Sequence, residues 1–119
     1  MLANKQLGDY GQKLAVDFLR GKGYLIVQEN YFSRYGEIDI IAKEADQLVF
    51  VEVKTRTGTA YGLPEEAIDQ AKIKKMLATI GAYLSAKEIN NDNYRLDAVA
   101  IEIDEGRKIA KVRHHVNIG

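Results

Sequence analysis

Gly36-Glu37-Ile38-Asp39-Ile40-Ile41-Ala42 and Leu48-Val49-Phe50-Val51-Glu52-Val53-Lys54 are two short, β-branched runs separated by the polar Lys43-Glu44-Ala45-Asp46-Gln47. Runs of this length and composition read as strands, and so short a polar link between them reads as a hairpin. Successive side chains in a strand point to opposite faces, so the alternation predicts Glu37 and Asp39 on one face and Ile38 and Ile40 on the other. In the second run Glu52 and Lys54 share a face, with Val49, Val51 and Val53 turned away. Pairing Lys43 with Leu48, or Glu44 with Gln47, sets Asp39 across from Glu52 and Glu37 across from Lys54. A loop one residue longer or shorter would send Asp39 and Glu52 to opposite faces.

Directly opposed residues of an antiparallel pair have Cβ atoms about 4.5–5.5 Å apart. Two carboxylates held that close repel unless a proton or a cation lies between them. A divalent cation resolves the repulsion, and a donor set of oxygens without Cys or His points to Mg2+ or Mn2+ rather than zinc. Charges along one face of a hairpin are equally the pattern of a solvated surface, and Glu37 across from Lys54 would then be a cross-strand ion pair worth well under about 1 kcal/mol. On the residues alone both readings stand.

Outward from the hairpin, Leu7, Leu14, Ala15, Phe18 and Leu19 fall at helical spacing and predict a helix over Asn4 to Arg20, stopped by Gly21 and Gly23. Tyr24 to Phe32 reads as a strand and Ser33 to Gly36 as its exit turn. After a loop with Gly58, Gly62 and Pro64, the acidic Glu65-Glu66-Ala67 suits the first turn of a second helix. Its apolar stripe is Ile73, Met76, Leu77, Ile80 and Leu84. Asn90 to Asn93 ends it, and strands over Tyr94 to Ile103 and Lys108 to Val116 follow. The order α-β-β-β-α-β-β predicts an α/β domain, a sheet flanked by helices.

The chain has 119 residues, 46% hydrophobic, with one Pro and no Cys. One domain spanning residues 1–119 can bury a sufficient core without metals or disulfides, and disorder is excluded. The absence of Cys removes a disulfide scaffold, a thiolate zinc site and a cysteine nucleophile. With 17 Lys plus Arg against 17 Asp plus Glu, any nucleic-acid surface must be a local basic patch. Lys5, Asp9, Lys13 and Asp17 interrupt the N-terminal apolar residues, so neither a signal peptide nor a membrane span is expected, and a cytoplasmic protein with no membrane partner is.

Gly36-Glu37-Ile38-Asp39 followed by Phe50-Val51-Glu52-Val53-Lys54-Thr55-Arg56 resembles the YraN family of small bacterial proteins. Their fold belongs to the restriction-endonuclease-like, PD-(D/E)XK nuclease superfamily, which also holds archaeal Holliday junction resolvases. The likeness extends over Gly8, Gly11, Ala15 and Leu19, Gly23-Tyr24, Asn30 and Arg95-Leu96-Asp97. It implies a central mixed sheet with helices on its faces, and a metal-dependent nuclease hydrolysing phosphodiesters of DNA rather than RNA, branched or structured DNA among them. On that resemblance Asp39 and Glu52 ligate Mg2+ or Mn2+ with the Val53 carbonyl. Lys54 positions or activates the attacking water and stabilises phosphate charge, and Glu37 is a further ligand or the partner of Lys54. Resolvase-like relatives work as symmetric dimers, which leaves a homodimer open.

The sequence departs from the family at Gln12, where a Glu usually follows the second glycine. A neutral amide can ligate weakly through its oxygen but brings no charge to a cation, so Gln12 is expected as a ligand remnant or an outer residue of the site, with Asp9 one turn earlier as a weaker substitute. Gln12 favours the alternative, a non-catalytic nucleic-acid-binding protein that retains the nuclease scaffold. A structural or protein-interaction domain with a charged hairpin is a third reading.

Arg34, Arg56 and Lys72 are candidate phosphate contacts, Lys72 because the family often has Lys there, while Lys74 and Lys75 read as the wet face of a helix. Tyr61, in the loop after the hairpin, is a candidate for stacking on a base or ribose, although loop tyrosines more often pack. Arg95 and Asp97 share a strand face and predict an internal ion pair. His114 and His115 point to opposite faces and read as surface or edge residues.

Overall fold

A computed structural model describes residues 3–58, 60, 62–90, 92–104 and 109–119. The first helix, α1 (Asn4–Gly21), buries Ala15 and Leu19 of the stripe its apolar spacing predicts, together with Gly11 and Val16, while Leu7, Leu14 and Phe18 are only partly buried against the same core. Gly23 at φ +91° turns the chain out of it, a conformation that costs glycine nothing. Strands β1 (Leu25–Ser33), β2 (Gly36–Glu44) and β3 (Gln47–Thr57) follow, then a 3-10 turn (Pro64–Ala67), α2 (Gln70–Ala86), β4 (Tyr94–Asp104) and β5 (Ile109–His115).

Glu65-Glu66-Ala67 does not open the second helix as expected. Pro64 starts a separate 3-10 turn, Ile68 is extended, and α2 begins only at Gln70, where the Asp69 side chain accepts from the Lys72 N–H at 2.8 Å. The turn is held instead by side chains: Arg113 of β5 reaches both oxygens of Glu65 at 2.6 and 2.7 Å. That guanidinium holds the Glu65 carboxyl well below the usual carboxylate range.

The described residues form a five-stranded sheet in the order β1-β2-β3-β4-β5. It is mixed: β3 and β4 are parallel, joined through α2, and the other neighbours are antiparallel. One face packs Ile40, Ala42, Val49, Val51, Val99 and Ile101 against Ala15, Val16 and Leu19 of α1. The other packs Ile38, Ile41, Phe50 and Leu96 against Met76, Ile80 and Tyr83 of α2. This is the predicted α/β architecture, compatible with a restriction-endonuclease-like fold. In the predicted stripe of α2, Leu77 is exposed, and Thr79 and Tyr83 are buried beside Met76 and Ile80. Among the described residues no helix is long and apolar enough to cross a membrane.

The hairpin register is as predicted from Glu44↔Gln47 to Ile40↔Val51, and there the β2–β3 ladder ends. Asp39 and Glu52 are not a ladder pair, and Glu37 lies across from Phe32 of β1 rather than from Lys54. The strict alternation also fails at this point. Ile38 packs on the α2 side and Ile40 on the α1 side, so the pleat slips by one residue at Asp39. Across from the slip, Asn30 sits at φ +55° between the pairs Glu29↔Ile40 and Tyr31↔Ile38. Beyond it β2 continues with β1 as a two-stranded ribbon to Ser33↔Gly36, while β3 continues with β4 to Thr57↔Ile103. The sheet splits where the charged residues stand.

Candidate functional site

At the split, β2 no longer offers a backbone acceptor to β3, and a side chain takes its place. Asp39 Oδ2 accepts the Val53 N–H at 2.8 Å. A backbone N–H left bare there would cost about 1–3 kcal/mol, so Asp39 is fixed by the same bond that ends the ladder. Helix α1 closes the cleft on one side. It comes so near β3 that a Cβ on Gly11 would meet Thr55 Oγ1 at 1.9 Å, and only glycine fits.

The cleft has a volume of about 550 Å3 and is walled by Gly8 and Gln12 of α1, Asn30 and Phe32 of β1, Glu37 and Asp39 of β2, and Val53, Lys54 and Thr55 of β3. Glu52 is not in its wall. Glu52 is 5% exposed, and its carboxyl lies behind, toward α2, where Lys72 Nζ approaches Oε2 at 3.6 Å, near enough for an ion pair but not a hydrogen bond. Among the described residues Oε2 has no hydrogen-bond partner.

Burial is the main force on Glu52. Together with the hydrogen bond to Asp39 and its charge, and against the pull of Lys72 and Lys54, it pushes the carboxyl up to about 8. Glu37 is raised too, by burial first and Asp39 second, opposed by Lys72. Two acids that resist ionisation together, with two lysines at their side, make a site short of positive charge.

Of the residues singled out in the sequence, the structure brings Glu37, Asp39, Val53 and Lys54 together in the cleft, with Glu52 and Lys72 directly behind. Lys54 has no hydrogen bond or ion pair to a described residue. Arg56 lies half-buried further along β3, beside Glu102 of β4. Arg34 is outside the cleft, at the β1–β2 turn, where its guanidinium donates to the Tyr35 hydroxyl at 2.7 Å and lies over that ring. Lys74 and Lys75 are exposed on α2. Tyr61 lies outside the described residues.

Gln12 faces the site as a donor. Its amide nitrogen donates to Asn30 Oδ1 at 2.6 Å, to Glu29 Oε1 at 3.0 Å and to the Asp39 carbonyl at 3.4 Å. Among the described residues no group of three or more His, Cys, Asp or Glu is arranged to hold a metal ion. What remains is Asp39 and Glu52 with main-chain oxygens, and Glu37 in the cleft wall; Gln at position 12 adds no further carboxylate. Gln12→Glu will replace these donations with repulsion against Glu29, and calorimetry of the metal-free protein is expected to show a loss on the order of 1 kcal/mol. Millimolar Mn2+ restores the loss if position 12 borders a cation site; persistence of the loss in Mn2+ excludes that.

Arg95 and Asp97 form the predicted ion pair at 3.0 Å, one strand over from Val51. His114, expected at the surface, is instead buried beside it. Its Nε2 lies 2.7 Å from Asp97 Oδ2 and its Nδ1 2.8 Å from Lys22 Nζ. An ammonium only donates, so Nδ1 accepts and Nε2 carries the hydrogen given to Asp97. The signal missed was Asp97 itself: on a face otherwise filled by Val99, Ile101 and Ile103, a carboxylate requires several donors. His115 is half-exposed and bonded to Glu65 at 2.8 Å.

Residues 11–101 match the model of a family described as "Uncharacterised protein family UPF0102". A "UPF0102 protein" of Syntrophomonas wolfei is 39% identical over 114 residues, covering 96% of this chain and 97% of the relative. One of Alkaliphilus oremlandii is 42% identical with the same coverage. Another, of Clostridioides difficile, is 40% identical over 104 residues, 87% of this chain and 91% of the relative. Since the matched span includes Gln12, the split hairpin and the Arg95–Asp97 pair, the chain belongs to the UPF0102 family, the YraN family of the sequence resemblance.

Proposed function

We propose that the protein is a cytoplasmic, Mg2+- or Mn2+-dependent nuclease that hydrolyses phosphodiesters of DNA at the split between β2 and β3. The observation that carries this reading is Glu52 Oε2, a buried carboxylate oxygen without a hydrogen bond, beside a second carboxylate. Such an atom is expensive to keep unless something else occupies it in the working state. The donors at hand, the carboxylates of Asp39 and Glu52 and the main-chain oxygen of Val53, are hard oxygens and fit a hard divalent cation. That cation would supply Lewis acidity toward a phosphate oxygen and lower the pKa of water.

The chain's own residues do the rest. The Val53 N–H holds the Asp39 carboxylate in place through its Oδ2. Lys72 steadies Glu52 from α2. Lys54 extends a positive charge into the cleft, suited to a phosphate oxygen and to the charge that grows on it as water attacks.

The test incubates labelled forked, branched and single-stranded DNA with the protein in Mg2+ or Mn2+, with EDTA as control. Cleavage is expected, reduced about 100-fold or more in Lys54→Ala and Asp39→Asn. DNA binding without cleavage in any metal would overturn the enzyme reading in favour of a binding scaffold, the reading that Gln12 favours. In that case Arg56 and Lys72 remain the candidate phosphate contacts.

A further inference from the structure

Phe32 is 70% exposed, more than any other large hydrophobic side chain described. Burying a Phe stabilises a fold, and this one forgoes most of that gain. It stands in the wall of the cleft that holds Glu37, Asp39 and Lys54, directly across β1–β2 from Glu37. It also lies on the ribbon that has already parted from β3, and among the described residues no further strand pairs beyond that ribbon. Leu7 and Val53 also reach that wall but are half-buried against the core, and most of its other residues are charged or polar, so little exposed apolar surface continues from Phe32 for a protein partner to cover.

We infer that Phe32 is a stacking platform for an unpaired base, and that the substrate class of this site is DNA with an unpaired nucleotide next to the phosphate that is cut. This rests on the nuclease reading above. Inside a duplex both faces of each base are covered by its neighbours, so an aromatic ring has nothing to stack on. At a flap, a fork or a gap one face is free, and a stacked base needs no sequence-specific contact. The ring would set the strand's position while Lys54 meets its phosphate, and intact duplex would be left alone.

The experiment compares a fully paired duplex with the same duplex carrying a single-stranded flap that contains 2-aminopurine, in Ca2+ for binding and in Mn2+ for cleavage. Phe32→Ala is expected to weaken flap binding about 10-fold or more and to change duplex binding less than about twofold. Quenching of 2-aminopurine is lost with it. Phe32→Trp is expected to retain both binding and quenching, and Phe32→Leu neither. Because the side chain is exposed, all three variants should melt with the wild type, which calorimetry checks. Equal weakening on both substrates, a Leu variant as good as Trp, or a change in oligomeric state on sedimentation would overturn the inference and leave the nuclease reading standing. A wild type that neither binds nor cuts either DNA would overturn the nuclease reading, and this inference with it.

Discussion

Glu52→Gln is expected to make the metal-free protein more stable, by roughly 2–4 kcal/mol at pH 8 and above, a rise in Tm of about 6 °C or more. The wild-type carboxyl titrates near 8 when folded, against an ordinary value of 4.5. Its proton is therefore held more tightly in the folded chain, and folding stability falls as pH rises from about 4.5 to about 8. The amide has no charge to desolvate and can donate to Asp39, so the variant should lack this slope. Losing the contact to Lys72 matters little, because that side chain is 40% exposed. Millimolar Mn2+ should reverse the order: wild type gains about 2.7 kcal/mol at 100 times the dissociation constant, and the variant gains little. Melting both proteins from pH 5 to 9, with and without Mn2+, decides it. A Gln variant less stable at every pH would mean that Lys72 fully satisfies Glu52 and that the orphaned oxygen carries no function.

Period-two patterning was enough to read the hairpin and its register, because Val49, Val51, Ile40 and Ala42 must all reach the same core. It could not reveal where the hairpin opens. The slip at Asp39 depends on Asn30 in a left-handed conformation, and the space on the other side depends on Gly11 meeting Thr55. Those are contacts between distant segments, and no local alternation encodes them. The candidate site was legible as a set of residue types, yet its geometry differs from a flat hairpin face: Asp39 caps a backbone N–H, Glu52 lies behind the cleft, and Phe32 joins the wall. The start of α2 was misread because acidic residues after a proline suit any first turn. The N-cap at Asp69 was present in the sequence and is the stronger signal, since its side chain satisfies a donor that nothing else reaches.

The second large effect lies one strand away from the site. Asp97 is fully buried and accepts from Arg95 Nε, His114 Nε2 and the Asn117 N–H, at 3.0, 2.7 and 2.9 Å. Arg95 in turn donates to Glu44, Gln47 and Tyr24, so one carboxylate organises the ends of β1, β2 and β3 as well as β5. Asp97→Ala leaves a mostly buried guanidinium and a buried imidazole without their shared acceptor, and is expected to cost about 3–5 kcal/mol. That is about a fifth or more of the stability of a typical domain, and Tm should fall by about 10 °C or more. Burial pushes the Asp97 carboxyl up, but the bonds from His114, Arg95 and Asn117 outweigh it and leave it below its usual value. Its contribution is therefore complete above the ordinary carboxylate range and is lost as pH falls through the lowered value. Wild type should lose stability below about pH 4 more steeply than Asp97→Asn, which keeps the shape without the charge. The Asn variant should still respond to Mn2+, since Asp39, Glu52 and Val53 are untouched. If it does not, the polar network and the split hairpin form one cooperative unit, and Arg95 and Asp97 belong to the site rather than to the frame that supports it.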